Sequence, residues 1–421
     1  MDTSLASTSP LGLLRPQLRS VGVTGTNGKT TTTSMVAAIV AAADETSARA
    51  TTLGTWVGEQ QLSADVSMVA FRELLLSAIG RGVRTLAVET TSKALAAGFA
   101  QHWPADVGVF TNLTHDHLDV HGSPEAYLAA KAQLFMTIPA SGAVVLNLAD
   151  PCSALLDEVV PAGVRRLGYV VGGVHADCAS LPLQLRAHRV QASVSGTRFE
   201  VSGGHGFEAL AGRYELRAVG AVHVQNALGA ALATAFLGYH PDAIRQGLRS
   251  FAGVPGRFDV VSEQPLVVVD YAHTPDALAR TLVEARGLLT SPRGQLWCVF
   301  GCGGDKDPSK RPEMGRVADQ HADVVVLTND NPRSEDPERI LDAIESGCAA
   351  SERRAVWHRE ADRRAAIHHA VARAAATDCV VVAGRGHEAQ QLLATGPVAF
   401  SDREVAREAV RAARMLPCPL R

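Results

Sequence analysis

Short apolar runs rich in β-branched residues alternate, along the first part of the chain, with longer segments that have helical spacing. One such run, Ser20–Thr24, enters a glycine-containing turn that leads straight into an apolar helix over Lys29–Ala43. Similar runs follow at Thr85–Glu89, Val107–Leu113 and Ala143–Leu148, and such runs are typical of buried parallel strands. Repeated strand–helix units predict a doubly wound parallel α/β sheet, which binds ligands at the carboxyl ends of its strands.

The middle of the chain has a different pattern. Pro124–Phe135 is predicted to be a helix with proline in its first turn. Residues 168–218 alternate and contain many glycines, which predicts a small β-rich excursion. Helical spacing returns at Val224–Leu237, and Gly253–Arg257 has the proline and glycine composition of a linker.

A second α/β series follows that linker. Its predicted strands are Leu266–Tyr271, Leu296–Gly301, Asp323–Thr328 and Cys379–Ala383, with helices between them. This order predicts a second domain with a Rossmann-like α/β fold.

Composition narrows the classes of function. A chain of 421 residues is long enough for two or three domains. Its formal net charge of -3 gives no basic surface for nucleic acid. The seven cysteines are an odd number without a CxxC pair, which favours a reducing compartment. No secretory signal and no membrane span are visible, so we expect a soluble, cytoplasmic protein without a membrane partner.

The stretch Val21–Thr33, VGVTGTNGKTTTT, has the strand–loop–helix context of a phosphate-binding loop. Gly25 and Gly28 let the backbone approach phosphate, Lys29 supplies a positive charge, and the hydroxyl of Thr30 suits Mg²⁺. The spacing departs from GxxxxGK[ST]. The alternative interpretation is an ordinary glycine turn that caps a buried helix.

Polar residues at neighbouring strand ends are candidates for metal chemistry. Glu89 closes a strand of the same predicted sheet, where a carboxylate can meet nucleotide-bound Mg²⁺. The segment Thr111–Gly122, TNLTHDHLDVHG, concentrates three histidines and two aspartates, which favours metal or phosphate binding over a solvated loop. A zinc hydrolase is an alternative, although Val120 separates Asp119 from His121 and so breaks the usual ligand spacing.

Five further places carry candidate chemistry. Lys131 follows the histidine segment on a helix, where it is either functional or an exposed solubilising residue. Asn226 is a helix-start polar residue or a base contact, and Asp270 at a strand end suits a ribose or a metal-bound water. Asp330–Arg333, DNPR, presents a guanidinium suited to a carboxylate. Arg385–Glu388 ends another strand, so an arginine and a glutamate at neighbouring strand ends could together bind a zwitterion or form a surface ion pair.

Taken together, these motifs resemble the Mur ligase family, in its UDP-N-acetylmuramoyl-tripeptide synthetase branch. The matching segments occur in the family's order from about residue 18 to the C-terminus: TGTNGKTT, NLTHDHLDVHG, AYLAAKAQLF, PGRFD, VDYAHTPDAL, GCGGDKD, KRPEMG, DNPRSEDP and AGRGHE. The resemblance implies a tail at residues 1–17, a P-loop-type central ATPase domain at 18–254 and a C-terminal domain at 255–421.

The resemblance also implies an activity, the formation of an amide bond in peptidoglycan synthesis. ATP phosphorylates a carboxylate, and an amino acid then attacks the acyl phosphate. Of the residues implied to be catalytic, Lys29 holds phosphates, Thr30 and Glu89 bind one Mg²⁺, and His117 and Lys131 serve a second. Lys131 does so as a carbamate formed with CO₂, because an ammonium would repel the cation whereas a carbamate supplies two oxygens.

The resemblance assigns binding sites as well. The implied ATP contacts are Gly25, Thr26, Asn27, Gly28, Lys29, Thr30, Thr31, Asn226, Arg257 and Asp270. The implied contacts of the incoming amino acid, with a diaminopimelate-like amine as the leading expectation, are Asp330, Asn331, Arg333, Gly384 and Glu388. The implied acceptor pocket contains Thr91, Ser92 and Lys93.

Departures from the family pattern concern the acceptor side. Only about twenty residues precede the phosphate-loop strand, so we expect that the family's uridine-binding N-terminal domain is absent and that a partner protein could replace it. The segment ETTSKALAAGF stands where the family usually has EVSSHALAQGR. Three hypotheses therefore remain besides a muramoyl ligase: a ligase recruited to another carboxylate, a nucleotide-binding regulatory homologue without catalysis, and the zinc hydrolase.

Overall fold

The structure is a computed structural model that describes residues 14–114, 116 and 118–415. The chain divides into two compact units. The first comprises Met1–Gln191 and Gly196–Ala252, and the second comprises Gly253–Arg421 together with Ala192–Ser195. Each unit has its own extended β-sheet.

The first unit contains eleven strands among its described residues. They are β1 (Arg19–Thr24), β2 (Ser47–Thr51), β3 (Gly54–Val57), β4 (Gln60–Ser63), β5 (Thr85–Glu89), β6 (Val107–Phe110), β7 (Ala143–Asn147), β8 (Arg165–Val171), β9 (Leu183–Ser193), β10 (Gly196–Gly203) and β11 (Gly212–Leu216). They form one sheet in the order β11-β10-β9-β8-β7-β6-β1-β5-β2-β3-β4. From β2 to β9 the neighbours are parallel, and antiparallel strands lie towards both edges.

Helices cover this sheet. They are α1 (Lys29–Ala42), α2 (Met68–Gly80), α3 (Ser92–Ala96), α4 (Phe99–His102), α5 (Leu118–His121), α6 (Pro124–Met136), α7 (Cys152–Glu158), α8 (Val222–Phe236) and α9 (Pro241–Ser250). Short 3₁₀ turns occur at Arg15–Gln17, Ala176–Cys178 and Glu208–Leu210.

The register of the central strands determines where side chains meet. β1 is buried along nearly its whole length, as expected for a central parallel strand. Val23 of β1 is paired with Glu89 of β5, and Thr24 is paired with Phe110 of β6. The loop after β1 therefore leaves the sheet between Glu89 and the segment that begins at Thr111.

The strands predicted from apolar runs are confirmed, with small shifts at their ends. β6 stops at Phe110 instead of Leu113, because Thr111 turns its hydroxyl to the carbonyls of Thr24 and Asn27. The expected β-rich excursion is present, and its strands belong to the main sheet. β8 pairs with β7, and β9 pairs with β8, so they extend the main sheet.

The second unit contains a six-stranded sheet and a separate hairpin. Its strands are β12 (Asp259–Glu263), β13 (Leu266–Asp270), β14 (Leu296–Phe300), β15 (Val324–Leu327), β16 (Val356–Arg359), β17 (Cys379–Ala383), β18 (Gln390–Leu393) and β19 (Gly396–Ala399). The sheet order is β12-β13-β17-β14-β15-β16, and only β12 runs antiparallel to its neighbour. β18 and β19 pair with each other.

Five α-helices pack around this second sheet in the described residues. They are α10 (Pro275–Gly287), α11 (Lys310–His321), α12 (Pro337–Glu345), α13 (Arg363–Arg373) and α14 (Asp402–Met415). Six cysteines lie in the described part of the chain, and all six are free thiols. Within those same residues no helix combines the length and the apolar character that crossing a bilayer requires.

Candidate active site

The loop between β1 and α1 depends on two glycines. Gly25 has φ +148° and Gly28 has φ +87°, a left-handed region that side chains disfavour. A Cβ atom on Gly25 would stand 1.9 Å from Thr111 Oγ1, and one on Gly28 would stand 2.3 Å from Asn226 Oδ1. The loop is therefore packed against the β6 end on one side and against buried Asn226 of α8 on the other.

The start of α1 is arranged to receive an anion. Gly28 occupies the N-cap position, so no side chain caps the first turn of the helix. Asn27 donates its backbone N–H to Asn112 Oδ1 at 2.9 Å. Its side-chain Nδ2 is buried and has no hydrogen-bond partner among the described residues. An unsatisfied buried donor beside an uncapped helix start fits a bound phosphate group.

Two lysines converge on this loop. Lys29 Nζ donates to the carbonyl oxygens of Gly25 at 3.0 Å and Thr26 at 2.7 Å. Lys131 Nζ, from α6, donates to the same Gly25 oxygen at 2.8 Å and lies 4.2 Å from the centre of the Tyr127 ring. Lys131 is only 1% exposed, so the interpretation of an exposed solubilising lysine is wrong.

The electrostatics of Lys131 follow from this position. Burial lowers the pKa of its amine well below the ordinary value, and the positive charge of Lys29 lowers it further. The carboxylates of Asp116 and Glu89 oppose the shift without reversing it. The site thus favours an uncharged amine at Lys131.

Glu89 connects the loop to the neighbouring strand. Thr30 donates its hydroxyl to Glu89 Oε2 at 2.8 Å. Thr52 donates to the same oxygen from its backbone N–H at 3.0 Å and from its hydroxyl at 3.3 Å. A carboxylate and a hydroxyl at this distance are hard oxygen ligands of the kind that Mg²⁺ takes. Sequence reasoning missed Thr52, which lies in an unremarkable TTLGT segment between strands.

The structure describes only part of the histidine segment. His115 and His117, the predicted metal ligand, lie outside the described residues. His121 forms a 2.9 Å hydrogen bond with Ser92 Oγ through Nε2, and its ring lies 5.2 Å from that of Tyr127. No group of three histidine, cysteine, aspartate or glutamate side chains suited to a metal occurs in the described residues.

The three predicted acceptor-pocket residues open helix α3. Thr91 accepts the backbone N–H of Ala94 and so caps the helix. Ser92 is buried against His121, whereas Lys93 is exposed. Of the three, Lys93 alone offers a charge to solvent.

In the second unit the structure brings together all five residues predicted to bind an amino acid. Asn331 donates through Nδ2 to Glu388 Oε2 at 2.7 Å. Gly384 approaches Asp330 so closely that a Cβ would stand 2.4 Å from Asp330 Oδ2. Arg333 donates to the Gly304 carbonyl at 2.7 Å and to the Asn331 carbonyl at 3.4 Å. The hairpin β18–β19 is hydrogen-bonded to this loop.

The charged side chains in that cluster are buried, as for Asp330, or partly buried, as for Arg333 and Glu388. Burial raises the pKa of both the Asp330 and the Glu388 carboxyl groups; nearby arginines oppose the rise at Asp330, and the Asn331 hydrogen bond opposes it at Glu388. Arg385 lies 3.6 Å from Glu388, but its side chain is fully buried and also approaches Asp402. The pair of Arg385 and Glu388 is therefore largely buried.

The remaining predicted nucleotide contacts, Arg257 and Asp270, also lie in the second unit. The Arg257 guanidinium lies 4.0 Å from the centre of the Tyr271 ring, and its Nε is buried without a hydrogen-bond partner in the described residues. The Asp270 carboxylate accepts the Phe258 N–H at 2.6 Å and the Thr281 hydroxyl at 3.0 Å. Asp270 thus shapes the backbone around Arg257, and burial raises its pKa.

Comparison with known proteins agrees with this arrangement. The sequence profile of the Mur ligase middle domain matches residues 23–234, and that of the Mur ligase glutamate ligase domain matches residues 256–386. A UDP-N-acetylmuramoyl-L-alanyl-D-glutamate--2,6-diaminopimelate ligase of Synechococcus elongatus is 41% identical over 399 residues, covering 93% of this chain and 76% of that protein. The ligase of the same name from Thermosynechococcus vestitus is 40% identical over 401 residues, covering 94% of this chain and 77% of its own length.

The solved structures agree as well. A structure of a UDP-N-acetylmuramoyl-L-alanyl-D-glutamate--2,6-diaminopimelate ligase superposes with a TM-score of 0.65 at 32% identity. The match covers 95% of this chain and 79% of that chain. The two family profiles match the chain in this order along most of its length, and the chain belongs to the Mur ligase family.

Proposed function

We propose that this chain is an ATP-dependent ligase that joins a diaminopimelate-like amino acid to the carboxylate of a UDP-N-acetylmuramoyl peptide. The names of its relatives support the substrates. The observation that carries the proposal is the buried Lys131 amine, 2.8 Å from the phosphate-loop carbonyl of Gly25. A protein that merely folds around a glycine turn has no reason to bury an amine there.

The first unit would carry out the activation. Ligases of this family use ATP and Mg²⁺, and the metal offsets negative charge that develops on the transferring phosphoryl group. Thr30 and Glu89 would hold one ion, and His117 and Lys131 would hold a second. The loop residues from Gly25 to Thr31 would bind the nucleotide phosphates through N–H groups and Lys29, with Asn226 supporting the loop. Lys29 must then leave the carbonyls of Gly25 and Thr26.

Lys131 would act as a carbamate. An amine must be uncharged to attack CO₂; the nitrogen forms a bond to carbon and releases one proton, leaving a carbamate anion. Burial and Lys29 both favour the uncharged amine. The anion would place a negative charge beside the Lys29 ammonium where the neutral amine had none, and its two oxygens are the kind of ligand that a metal site needs.

The second unit would bind the amine substrate. Arg333 suits a carboxylate of the amino acid, and Glu388 with Asp330 suits an ammonium group. Asn331 orients Glu388 through a hydrogen bond, and the absence of a side chain on Gly384 lets its backbone lie close to Asp330. Arg257 and Asp270 would contribute the remaining nucleotide contacts. We assign residues 18–254 to ATP binding and residues 255–421 to the amino acid.

For the carboxylate substrate that accepts the amino acid, one observation favours a second candidate. Thr91, Ser92 and Lys93 would line its pocket, and the exposed charge of Lys93 favours a second candidate, a ligase recruited to another carboxylate. Both candidate functions can be tested by measuring the phosphate released from ATP in the presence of Mg²⁺. Diaminopimelate, lysine and other amino acids are each offered with UDP-N-acetylmuramoyl-L-alanyl-D-glutamate and with simpler carboxylates.

Each outcome has a definite meaning. Release that needs both diaminopimelate and the muramoyl nucleotide supports the proposal, and turnover by the purified chain alone shows that no partner protein is needed. Release only with another carboxylate supports recruitment. A Lys131→Ala variant should lose turnover in either case. Unchanged biological activity of that variant, together with no release by the wild type, would instead support a regulatory homologue. The cytoplasmic location predicted from the cysteines stays a prediction.

A further inference from the structure

A fully buried ionic network lies behind the five amino-acid-binding residues of the second unit. Arg363, the first residue of α13, and Asp402, the first residue of α14, have side chains with 0% exposure. Arg363 donates to Asp402 through two nitrogens, at 2.7 Å from Nε and 2.6 Å from Nη2. Arg385, also fully buried, lies 3.4 Å from the same carboxylate.

The network reaches the backbone at two informative positions. Arg363 Nη1 donates to the Asn329 carbonyl at 3.1 Å, and its Nη2 donates to the Ala383 carbonyl at 2.9 Å. These carbonyls directly precede Asp330 and Gly384. Asn329 follows β15 and Ala383 ends β17, two strands that β14 separates in the sheet. One guanidinium therefore links two strand ends that share no backbone hydrogen bonds.

The two linked positions face each other across the proposed amino-acid site. Gly384 and Asp330 are so close that a methyl group would not fit between them. A small relative shift of the two strand ends would change the spacing of Asp330, Gly384 and Glu388 together. Misplacement by about 1 Å is enough to cost a binding or catalytic site much of its activity.

Stability alone is a weak reason for this network. Burying two guanidinium groups and a carboxylate costs free energy that apolar side chains of similar volume would not incur. What an apolar side chain cannot do is donate to two carbonyls and a carboxylate at once. The five N–H groups of arginine have that capacity, and the three of lysine on a single nitrogen do not have its planar geometry.

We propose that Arg363, locked by Asp402, is a positioning residue that sets the geometry of the amino-acid site through the Asn329 and Ala383 carbonyls. This inference rests on the proposed function for the identity of the ligand. Neither residue belongs to the motifs that revealed the family, and neither touches the site directly. Their effect should therefore be confined to steps that involve the amino acid.

An Arg363→Lys variant tests this inference, because it keeps the charge and removes the fork. We expect the KM for diaminopimelate to rise at least about tenfold, while the KM for ATP and for the muramoyl nucleotide stays unchanged. Acyl-phosphate formation, trapped with hydroxylamine as a hydroxamate, does not involve the amino acid and should also be unchanged. A purely structural defect would instead impair acyl-phosphate formation and the use of all three substrates together.

Arg286→Lys is the matched control. Arg286 donates to the Asp323 carboxylate at 2.6 Å and to the His321 carbonyl at 2.9 Å. Both partners precede β15, whereas the proposed amino-acid-binding residues follow the carboxyl ends of the strands. This variant should leave the KM for diaminopimelate unchanged. An Asp402→Asn variant, which keeps the shape and removes the countercharge, should reproduce the selective effect of Arg363→Lys.

The outcomes separate the inference from the proposed function. A wild type that forms no hydroxamate and releases no phosphate would refute the proposed function; calorimetric titration with diaminopimelate would then still compare the wild type with Arg363→Lys. An unchanged affinity or KM for diaminopimelate in Arg363→Lys would overturn the inference. So would failure of both the Arg363 and Asp402 variants to fold, because the network would then serve stability alone.

Discussion

Replacing Lys131 by methionine should make the protein more stable and inactive at the same time. Methionine has nearly the same length and no charge, so it removes an amine that is buried beside Lys29 and 1% exposed. The variant keeps the packing against the Tyr127 ring, where Lys131 Nζ now lies 4.2 Å from the ring centre. The expected gain therefore comes from removing an amine that the folded protein solvates poorly and disfavours in its charged form, rather than from new contacts.

The magnitude follows from proton linkage. The folded protein lowers the pKa of Lys131 well below its ordinary value, so between the two values the unfolded chain binds one proton more than the folded chain. In that window the free energy of unfolding rises by about 1.4 kcal/mol per pH unit. Lys131→Met lacks this contribution. Its advantage over the wild type should therefore shrink by roughly 2.7 kcal/mol over two pH units inside the window.

Urea unfolding of both proteins over a series of pH values below the ordinary pKa of lysine measures this difference. The buffers must be free of CO₂, because carbamate formation would consume the uncharged amine. Lys93→Met is the control for loss of one lysine, since solvent hydrates the exposed Lys93 in the folded and unfolded chains alike. Equal pH dependence in wild type and Lys131→Met would refute the reasoning, because Lys131 would then have to be charged in the folded protein.

Three further predictions concern the loop, the metal and the amino acid. Gly28→Ala should destabilise the protein more than Gly82→Ala in urea unfolding and raise the KM for ATP: both glycines are left-handed, a strain of about 1 kcal/mol or more, but only Gly28 faces an atom, Asn226 Oδ1 at 2.3 Å. Glu89→Gln should raise the Mg²⁺ concentration for half-maximal activity about tenfold or more in a metal titration, without lowering the free energy of unfolding. The raised pKa of Glu388 predicts that the KM for diaminopimelate increases about tenfold per pH unit below that pKa, and Glu388→Gln should remove this dependence in a pH profile.

The glycine-containing loop between β1 and α1 could be predicted because its determinants are contiguous. Gly25, Gly28 and Lys29 lie within five residues between a strand and a helix. Their left-handed angles and the uncapped helix start are consequences of that local sequence. The parallel register of β1 with β5 then places Glu89 beside the loop without any further information.

Other parts depend on tertiary structure and left no local signal. β2 and β4 have the sequences SARAT and QQLS, which lack an apolar run and become strands because β5 and β3 pair with them. Thr52 follows β2 and reaches Glu89 only through that pairing. Helical spacing likewise left Lys131 equally consistent with an exposed and a functional position, and the fold settles its burial.

The contrast between Lys131 and Arg363 shows what motif resemblance captures. Both are buried basic side chains that donate to backbone carbonyls at the ends of parallel strands. Lys131 sits beside Lys29, and no carboxylate among the described residues accepts a hydrogen bond from it, so burial and the Lys29 charge make its own charge unfavourable. Arg363 forms a bidentate pair with Asp402, which stabilises the charge of the guanidinium and fixes its orientation. A buried basic group whose charged form is disfavoured by its surroundings is suited to react. A buried basic group whose charge is neutralised by a carboxylate is suited to hold the loops around the substrate in place.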